Sequence, residues 1–360
     1  MAALIDDPAA ATPGWFDAVF AAAGLDGAAP KATHAEAIGD GQVARVFRVT
    51  VEYEGDRGAR PRSVVLKMAS DDARRRMTGA ARQCHVKEVG FYQHLAARVP
   101  SAPRCDFAAV DAAGMAHTLV LADLAQARPG RQREGLSPAE AKAALEAIAE
   151  AHAVYWQQTP LTDAWLDTRT AARWPQVAQL FRGVLPAFLA RFGPRLPPET
   201  AALCEALAAG FVDWRTRLAD GPRTVVHADF RADNLLFTDT EAGPRATILD
   251  WQMTALDAAE VDVAGLIGGS LDVEARRAHE AALIDAWHAA LCQRGVKGWD
   301  REAAHGRARL ASLEGVAMAV IASMLVGHDA RGEALFAVLA ERHIRHALDH
   351  GGVALLATAR

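Results

Sequence analysis

The chain has 360 residues, 51% hydrophobic and 23% charged, enough to bury a sizeable core in about two domains or lobes. A formal net charge of −5 and a pI near 6.2 argue against a nucleic-acid-binding surface and against polybasic membrane docking. Cys84, Cys105, Cys204 and Cys292 are far apart with no C-x-x-C, the usage of reduced thiols in a cytoplasmic protein rather than of a zinc site or disulfide frame.

The N-terminus, M-A-A-L-I-D-D-P, is acidic and lacks the basic segment and apolar core of a signal peptide. Gly14–Leu25 places Trp15, Val19, Phe20 and Ala23 on one helical face and offers Gly24 as a stop, which predicts a docking helix ahead of the first sheet. Lys31–Tyr53 is β-rich, with Val43, Phe47, Val49 and Val51 falling largely on alternate residues and Gly39 and Gly41 in the turn before them. Pro61–Ser70 reads as a strand with Lys67 in its apolar centre, a position a lysine occupies at a cost unless its ammonium is paired. Ala80–Ala97 reads as one helix that buries Val86, Val89, Phe91, Tyr92 and Leu95. Glu88 lies within it, with Arg82 and Lys87 as possible solvent-side partners. Ala108–Val110 and His117–Leu124 read as two further strands, and Gln126–Gly135 as a polar linker.

From Ser137 the pattern turns helical. Ser137-Pro138-Ala139-Glu140 is a capping box with proline in the first turn, opening a helix expected to reach Trp156. Helices are also expected over about Trp174–Phe192, Pro198–Leu218, Val273–Arg294, Arg301–Val326 and Gly332–Leu348. The longest apolar run, Gly315–Gly327, is short for a bilayer and reads as a buried helix.

Between these helices lies T-V-V-H-A-D-F-R-A-D-N-L-L-F, a polar turn over Thr238–Arg245, and A-T-I-L-D-W-Q. The apolar runs Thr224–Val226, Leu235–Phe237 and Ala246–Leu249 predict short strands, the last two paired as a hairpin. That layout gathers His227, Asp229 and Asn234 in one loop and puts Asp250 at the end of the next strand. Phosphoryl transfer suits such a set. It needs a carboxylate to orient and deprotonate an acceptor hydroxyl, for which Asp229 is placed, and hard oxygen ligands for magnesium, for which Asn234 and Asp250 qualify.

H-A-D-F-R-A-D-N followed by I-L-D resembles the signature of the aminoglycoside phosphotransferase and choline kinase superfamily, and the wording is most similar to its ecdysteroid-kinase-like branch. The family's usual glycine after the histidine is replaced by Ala228, a residue small enough to suggest little harm. The resemblance implies an α+β, protein-kinase-like fold: residues 1–122 a β-rich nucleotide-binding lobe with one helix besides the leading helix 14–25, 123–136 a linker, and 137–360 a helical lobe with the catalytic loop 227–234 and metal-binding Asp250. It implies ATP and Mg²⁺ as cofactors, with Lys67 on the α- and β-phosphates and paired with Glu88, whose E-V-G-F-Y is similar to the family helix. Gly39 and Gly41 would border the phosphates, an ordinary hairpin turn being the other reading. Asp123 and Leu124 would follow the strand that meets the adenine, Ala122 standing where the family has Glu. Asp262 would anchor the backbone of the catalytic loop. His152 reads as a packed core histidine, and His227 as a member of the catalytic loop that holds its shape.

The function implied is transfer of the ATP γ-phosphate to a hydroxyl of a small molecule, with no nucleic acid or membrane as partner. A catalytically silent nucleotide-binding protein is the alternative, and a metal-dependent hydrolase using His227, Asp229 and Asp250 a third reading. A hydrophobic alcohol is preferred over an antibiotic as acceptor, with Trp251 and Gln252 expected near the site. Oligomeric state is not legible.

Overall fold

The computed structural model describes residues 2–40, 43–158, 165–325 and 330–357. The chain forms two compact units. One comprises Met1–Gln126, Asp163–Leu166 and Leu249–Thr254, the other Ala127–Thr162, Asp167–Ile248 and Ala255–Arg360.

The first unit begins with α1 (Pro13–Ala22), started by Thr12, whose hydroxyl accepts the Trp15 N–H at 3.3 Å. Phe16, Val19 and Phe20 are fully buried. Ala23 is exposed, not on the buried face as its spacing suggested, because the helix has ended and Gly24 turns the chain at φ +71°. There follow β1 (Pro30–Asp40), β2 (Ala44–Tyr53), β3 (Ser63–Ala69), α2 (Ala73–Ala81), α3 (Cys84–His94), β4 (Cys105–Val110) and β5 (His117–Ala122). Among the described residues they build a five-stranded sheet of order β1-β2-β3-β5-β4, antiparallel throughout. Phe16, Val19 and Phe20 pack with Val49, Val51, Val64, Leu66, Met68 and Val120. Each such side chain contributes about 1.5–3 kcal/mol by leaving water.

Two expectations are corrected in this unit. The helix expected over 80–97 is α3 alone, which starts only at Cys84 because Gln83 adopts a left-handed φ of 55°, and the separate helix α2 before it, which takes in Ala80 and Ala81, was not expected. Gly39 does not lie in a turn. It is part of β1, opposite Val46, at an irregularity in the register, while Gly41 lies outside the described residues.

The second unit contains β6 (Arg128–Pro129), α4 (Pro138–Val154), β7 (Asp167–Thr168), α5 (Trp174–Phe192), α6 (Thr200–Ala219), β8 (Thr224–Val226), β9 (Leu235–Thr240), β10 (Gly243–Ile248), β11 (Ala255–Asp257), α7 (Glu260–Ser270), α8 (Val273–Gln293), α9 (Arg301–Leu325), α10 (Ala330–Asp349) and α11 (Gly352–Ala357). The capping box at α4 is formed, Ser137 Oγ accepting the Glu140 N–H at 3.2 Å and Glu140 Oε2 accepting the Ser137 N–H at 2.8 Å. The hairpin is longer than its apolar runs, since β9 and β10 stay paired out to Thr240 and Gly243. The supposed linker carries β6, which pairs with β9. By length and composition α9 could cross a membrane, yet Ala311, Leu313, Val316, Ala317 and Val320 are buried in one core with Phe188, Leu207, Trp214 and Ile344.

Candidate active site

In the second unit the candidate loop, residues 227–234, leaves β8 at Val226 and is fixed by its own backbone. Asp262, in the first turn of α7, accepts the His227 N–H at 2.7 Å with Oδ2 and the Ala228 N–H at 2.8 Å with Oδ1. His152 joins the same carboxylate, its Nε2 lying 3.1 Å from Oδ2. The Trp287 indole N–H donates to His152 Nδ1 at 3.1 Å, so Nε2 carries the imidazole proton toward Asp262. His152, Asp262 and His227 are all buried. His152 is therefore a core histidine that orients the anchor of the loop.

Next in the loop, His227 Nδ1 accepts the Asp229 N–H at 3.2 Å, a contact that shapes the turn from inside. Ala228 has φ 64°, a conformation in which an L-residue is strained by about 1–2 kcal/mol. The expectation that alanine does little harm here is corrected, since the position requires the glycine conformation. Ala228→Gly is accordingly expected to raise stability by about 0.5–1 kcal/mol, after its larger unfolded-state entropy is deducted. Urea unfolding of the two proteins checks this, and a less stable variant would contradict it.

Asp229 and Asn234 face each other across a short 3₁₀ turn (residues 232–234). The Asn234 amide nitrogen donates to the Asp229 backbone oxygen at 2.8 Å and to Asp229 Oδ2 at 3.1 Å. With its nitrogen so committed, Asn234 offers its Oδ1 as a hard donor for a cation. Arg231 donates to Asp229 Oδ1 at 3.2 Å and to Asp233 at 2.7 Å. The far side of the loop is held by Gln132 and Ser270, both accepting the Ala232 N–H, at 2.8 and 3.0 Å. Neither residue was indicated by the sequence. Gln132 lies in a polar stretch without periodicity, and only its burial marks it.

The first unit contains a second constellation. Lys67, in the middle of β3, donates to Glu88 of α3 at 2.7 Å and to Asp250 at 2.7 Å. Glu88 is thus paired with Lys67, while Lys87 Nζ donates instead to the Arg82 backbone oxygen at 3.2 Å. Burial opposes the Lys67 charge, but Asp250 and Glu88 outweigh it and raise the ammonium above its ordinary value. Burial likewise lifts Glu88 above the usual carboxylate range. Lys67 pulls against that and Asp250 adds to it, since one ammonium faces two carboxylates. Asp250 stands two residues past β10 with φ 62°, and its second oxygen accepts from Gln252 at 3.0 Å.

Other expected residues have other duties. The Asp123 carboxylate is engaged within the sheet, accepting from Arg48 at 2.8 Å and Ser63 at 2.8 Å. Leu124 follows it just beyond β5. Gln252 does lie beside Asp250. Trp251, the residue after Asp250, is fully buried and stacked on Phe91 at 3.9 Å with an interplanar angle of 6°. It is a core ring that seats the Asp250 segment.

Solved structures share this arrangement of elements at low identity. The choline kinase from Cryptosporidium parvum Iowa II aligns over 94% of this chain and 92% of that one, with a TM-score of 0.53 and 11% identity. The microcompartment-associated aminopropanol kinase aligns over 90% and 94%, with a TM-score of 0.54 and 13% identity. The streptomycin–ATP–APH(2")-IIa ternary complex aligns over 91% and 94%, with a TM-score of 0.51 and 14% identity. These likenesses establish an α+β, protein-kinase-like fold. No curated protein sequence matches the chain. The sequence profile of the ecdysteroid kinase-like family, however, matches residues 38–296, which include Lys67, Glu88, the His227–Asn234 loop, Asp250 and Asp262. The chain belongs to the ecdysteroid kinase-like family.

Proposed function

We propose that this protein is an ATP-dependent kinase that phosphorylates a hydroxyl group of a small molecule. The observation that carries the reading is the loop of residues 227–234, in which Asp229 and Asn234 are hydrogen-bonded to each other while Asp262 holds the backbone on which both stand. Asp229 orients the acceptor hydroxyl and takes its proton. Asn234 and Asp250 offer the oxygen donors that magnesium prefers, and Lys67, steadied by Glu88, provides a permanent positive charge for the nucleotide phosphates. Bound magnesium would neutralise charge on the β- and γ-phosphates. The peptide groups of Asp123 and Leu124 and the segment around Gly39 and Gly41 are the proposed contacts to the rest of the nucleotide. His227 has a positioning role, because it is buried and spends Nδ1 on the Asp229 N–H.

Choline, aminopropanol and streptomycin are named with the neighbours above, and all carry cationic nitrogen. The acceptor proposed here is a neutral, largely apolar alcohol. Arg231 shares the charge of Asp229 and so weakens the negative field that a polycation would need. A cytoplasmic location accompanies this reading. The test is transfer of labelled γ-phosphate from ATP with Mg²⁺ to a panel containing neutral polycyclic alcohols, choline, ethanolamine and aminoglycosides. Label on the neutral alcohols is the expected result. Label confined to the cationic members overturns the acceptor class, and label on no member counts against transfer.

A further inference from the structure

Away from the phosphotransfer residues, α8 and α10 bring two imidazoles and a carboxylate to one point. His346 lies in the last turn of α10 and His350 one turn further on, so both rings project from the same helix face. Glu280 of α8 meets them. Its Oε1 is 2.8 Å from His346 Nε2 and 2.6 Å from His350 Nε2, and the three atoms lie within 4.8 Å of one another. Glu280 and His346 are buried, and His350 is partly exposed, with 18% of its side chain accessible. The other Glu280 oxygen accepts from Arg276 at 2.9 Å, and Arg276 also pairs with Asp349, which fixes the plane of the carboxylate. Asp349 is shared by Arg276 and Arg277, and Arg277 also pairs with Glu274, so these four charges cancel and the group retains the single negative charge of Glu280.

We propose that Glu280, His346 and His350 form a binding site for a zinc-class divalent ion that ties α8 to α10. Two imidazole nitrogens and one carboxylate oxygen are a ligand set for zinc and its borderline neighbours, whereas magnesium and calcium select all-oxygen surroundings. Bonds of about 2.0–2.1 Å to a tetrahedral ion set its ligands roughly 3.3 Å apart. Rotation of the three side chains that opens the two Glu280 contacts by about 0.5–0.7 Å and brings the two Nε2 atoms to the same spacing admits the ion. On binding, each neutral imidazole exchanges its Nε2 proton with solvent for one on Nδ1, which frees the Nε2 lone pair for the ion, and water takes the fourth position. The exposed edge of His350 is the route of entry. This site is independent of the phosphotransfer reading.

The competing arrangement is a metal-free clamp in which both imidazoles donate to Oε1, and one variant separates the two. His350→Gln keeps an N–H donor for Glu280 but removes the nitrogen ligand. Full-length wild type, His350→Gln and His350→Ala are stripped with chelator, dialysed against Zn²⁺ alone, and measured for bound zinc per chain and for melting temperature. The expected result is one zinc per wild-type chain, retained in excess Mg²⁺, with a raised melting temperature. Both variants should bind zinc at least about 100-fold more weakly and show no rise. Equal zinc content in wild type and His350→Gln, or none in wild type, overturns the proposal.

Discussion

Asp229→Asn is expected to lower kcat by about 100- to 10,000-fold, the range associated with removal of a positioned general base. The asparagine keeps the shape of the side chain and an oxygen for Arg231, but it has lost the basicity needed to take the acceptor proton. Stability should fall by only about 1 kcal/mol, because the new amide N–H2 stands where Oδ2 accepted from Asn234. The Asp229–Arg231 pair is about one-third exposed on both sides, and pairs of that kind contribute about 0–1 kcal/mol. Lys67, Glu88 and Asp250 are untouched, so the dissociation constant for ATP is expected to stay within about twofold of wild type, against the tenfold that 1.4 kcal/mol would produce. Steady-state kinetics with an acceptor from the panel, together with nucleotide titration, read both quantities. A variant that keeps a tenth or more of its kcat would remove Asp229 from the role of base.

Asp262→Ala should damage the fold instead. The carboxylate is buried and accepts from the His227 and Ala228 amides and, by the tautomer argument, from His152. Truncation leaves these buried donors without their acceptor, at about 1–3 kcal/mol for each unsatisfied group, so a loss of about 3–5 kcal/mol is expected. The strained φ of Ala228 adds to the effect, because the two hydrogen bonds are what hold the left-handed turn closed. Hydrogen exchange provides a local readout. The amides of His227 and Ala228 should lose protection far beyond the average for the chain. Unchanged protection at these two amides, or a melting curve that does not move, contradicts the anchoring role.

Much of this was legible because the sequence states it in short-range terms. Thr224–Val226 and Trp174–Phe192 are strand and helix over the residues their apolar patterns indicated. The Ser137 capping box is a local hydrogen-bond pattern, and it forms as written. Lys67 was readable for an energetic reason, since an ammonium inside an apolar strand demands a partner, and Glu88 is that partner.

The misreadings share a different cause. No feature of A-A-R-Q-C-H announces a left-handed Gln83, so a break between two helices was read as a continuous one. Gly39 suggested a turn by composition, but pairing with Val46 across the sheet decided its conformation. Gln132 and Ser270 secure the loop from positions 100 and 38 residues away from Ala232, a separation at which sequence pattern carries no information.

The measurement that bears most directly on the proposed nucleotide site is thermal stabilisation by ATP, with and without Mg²⁺, of wild type and Asp250→Asn. Asparagine is the chosen replacement because it tolerates the left-handed backbone at this position and leaves the Lys67–Glu88 pair in place. ATP with Mg²⁺ at about a hundred times its dissociation constant should add roughly 2.7 kcal/mol to wild type. Most of that gain should vanish when Mg²⁺ is omitted or Asp250 is replaced. If neither ATP nor GTP moves the wild-type melting curve, the assignment of Lys67, Asn234 and Asp250 to a nucleotide–metal site is contradicted.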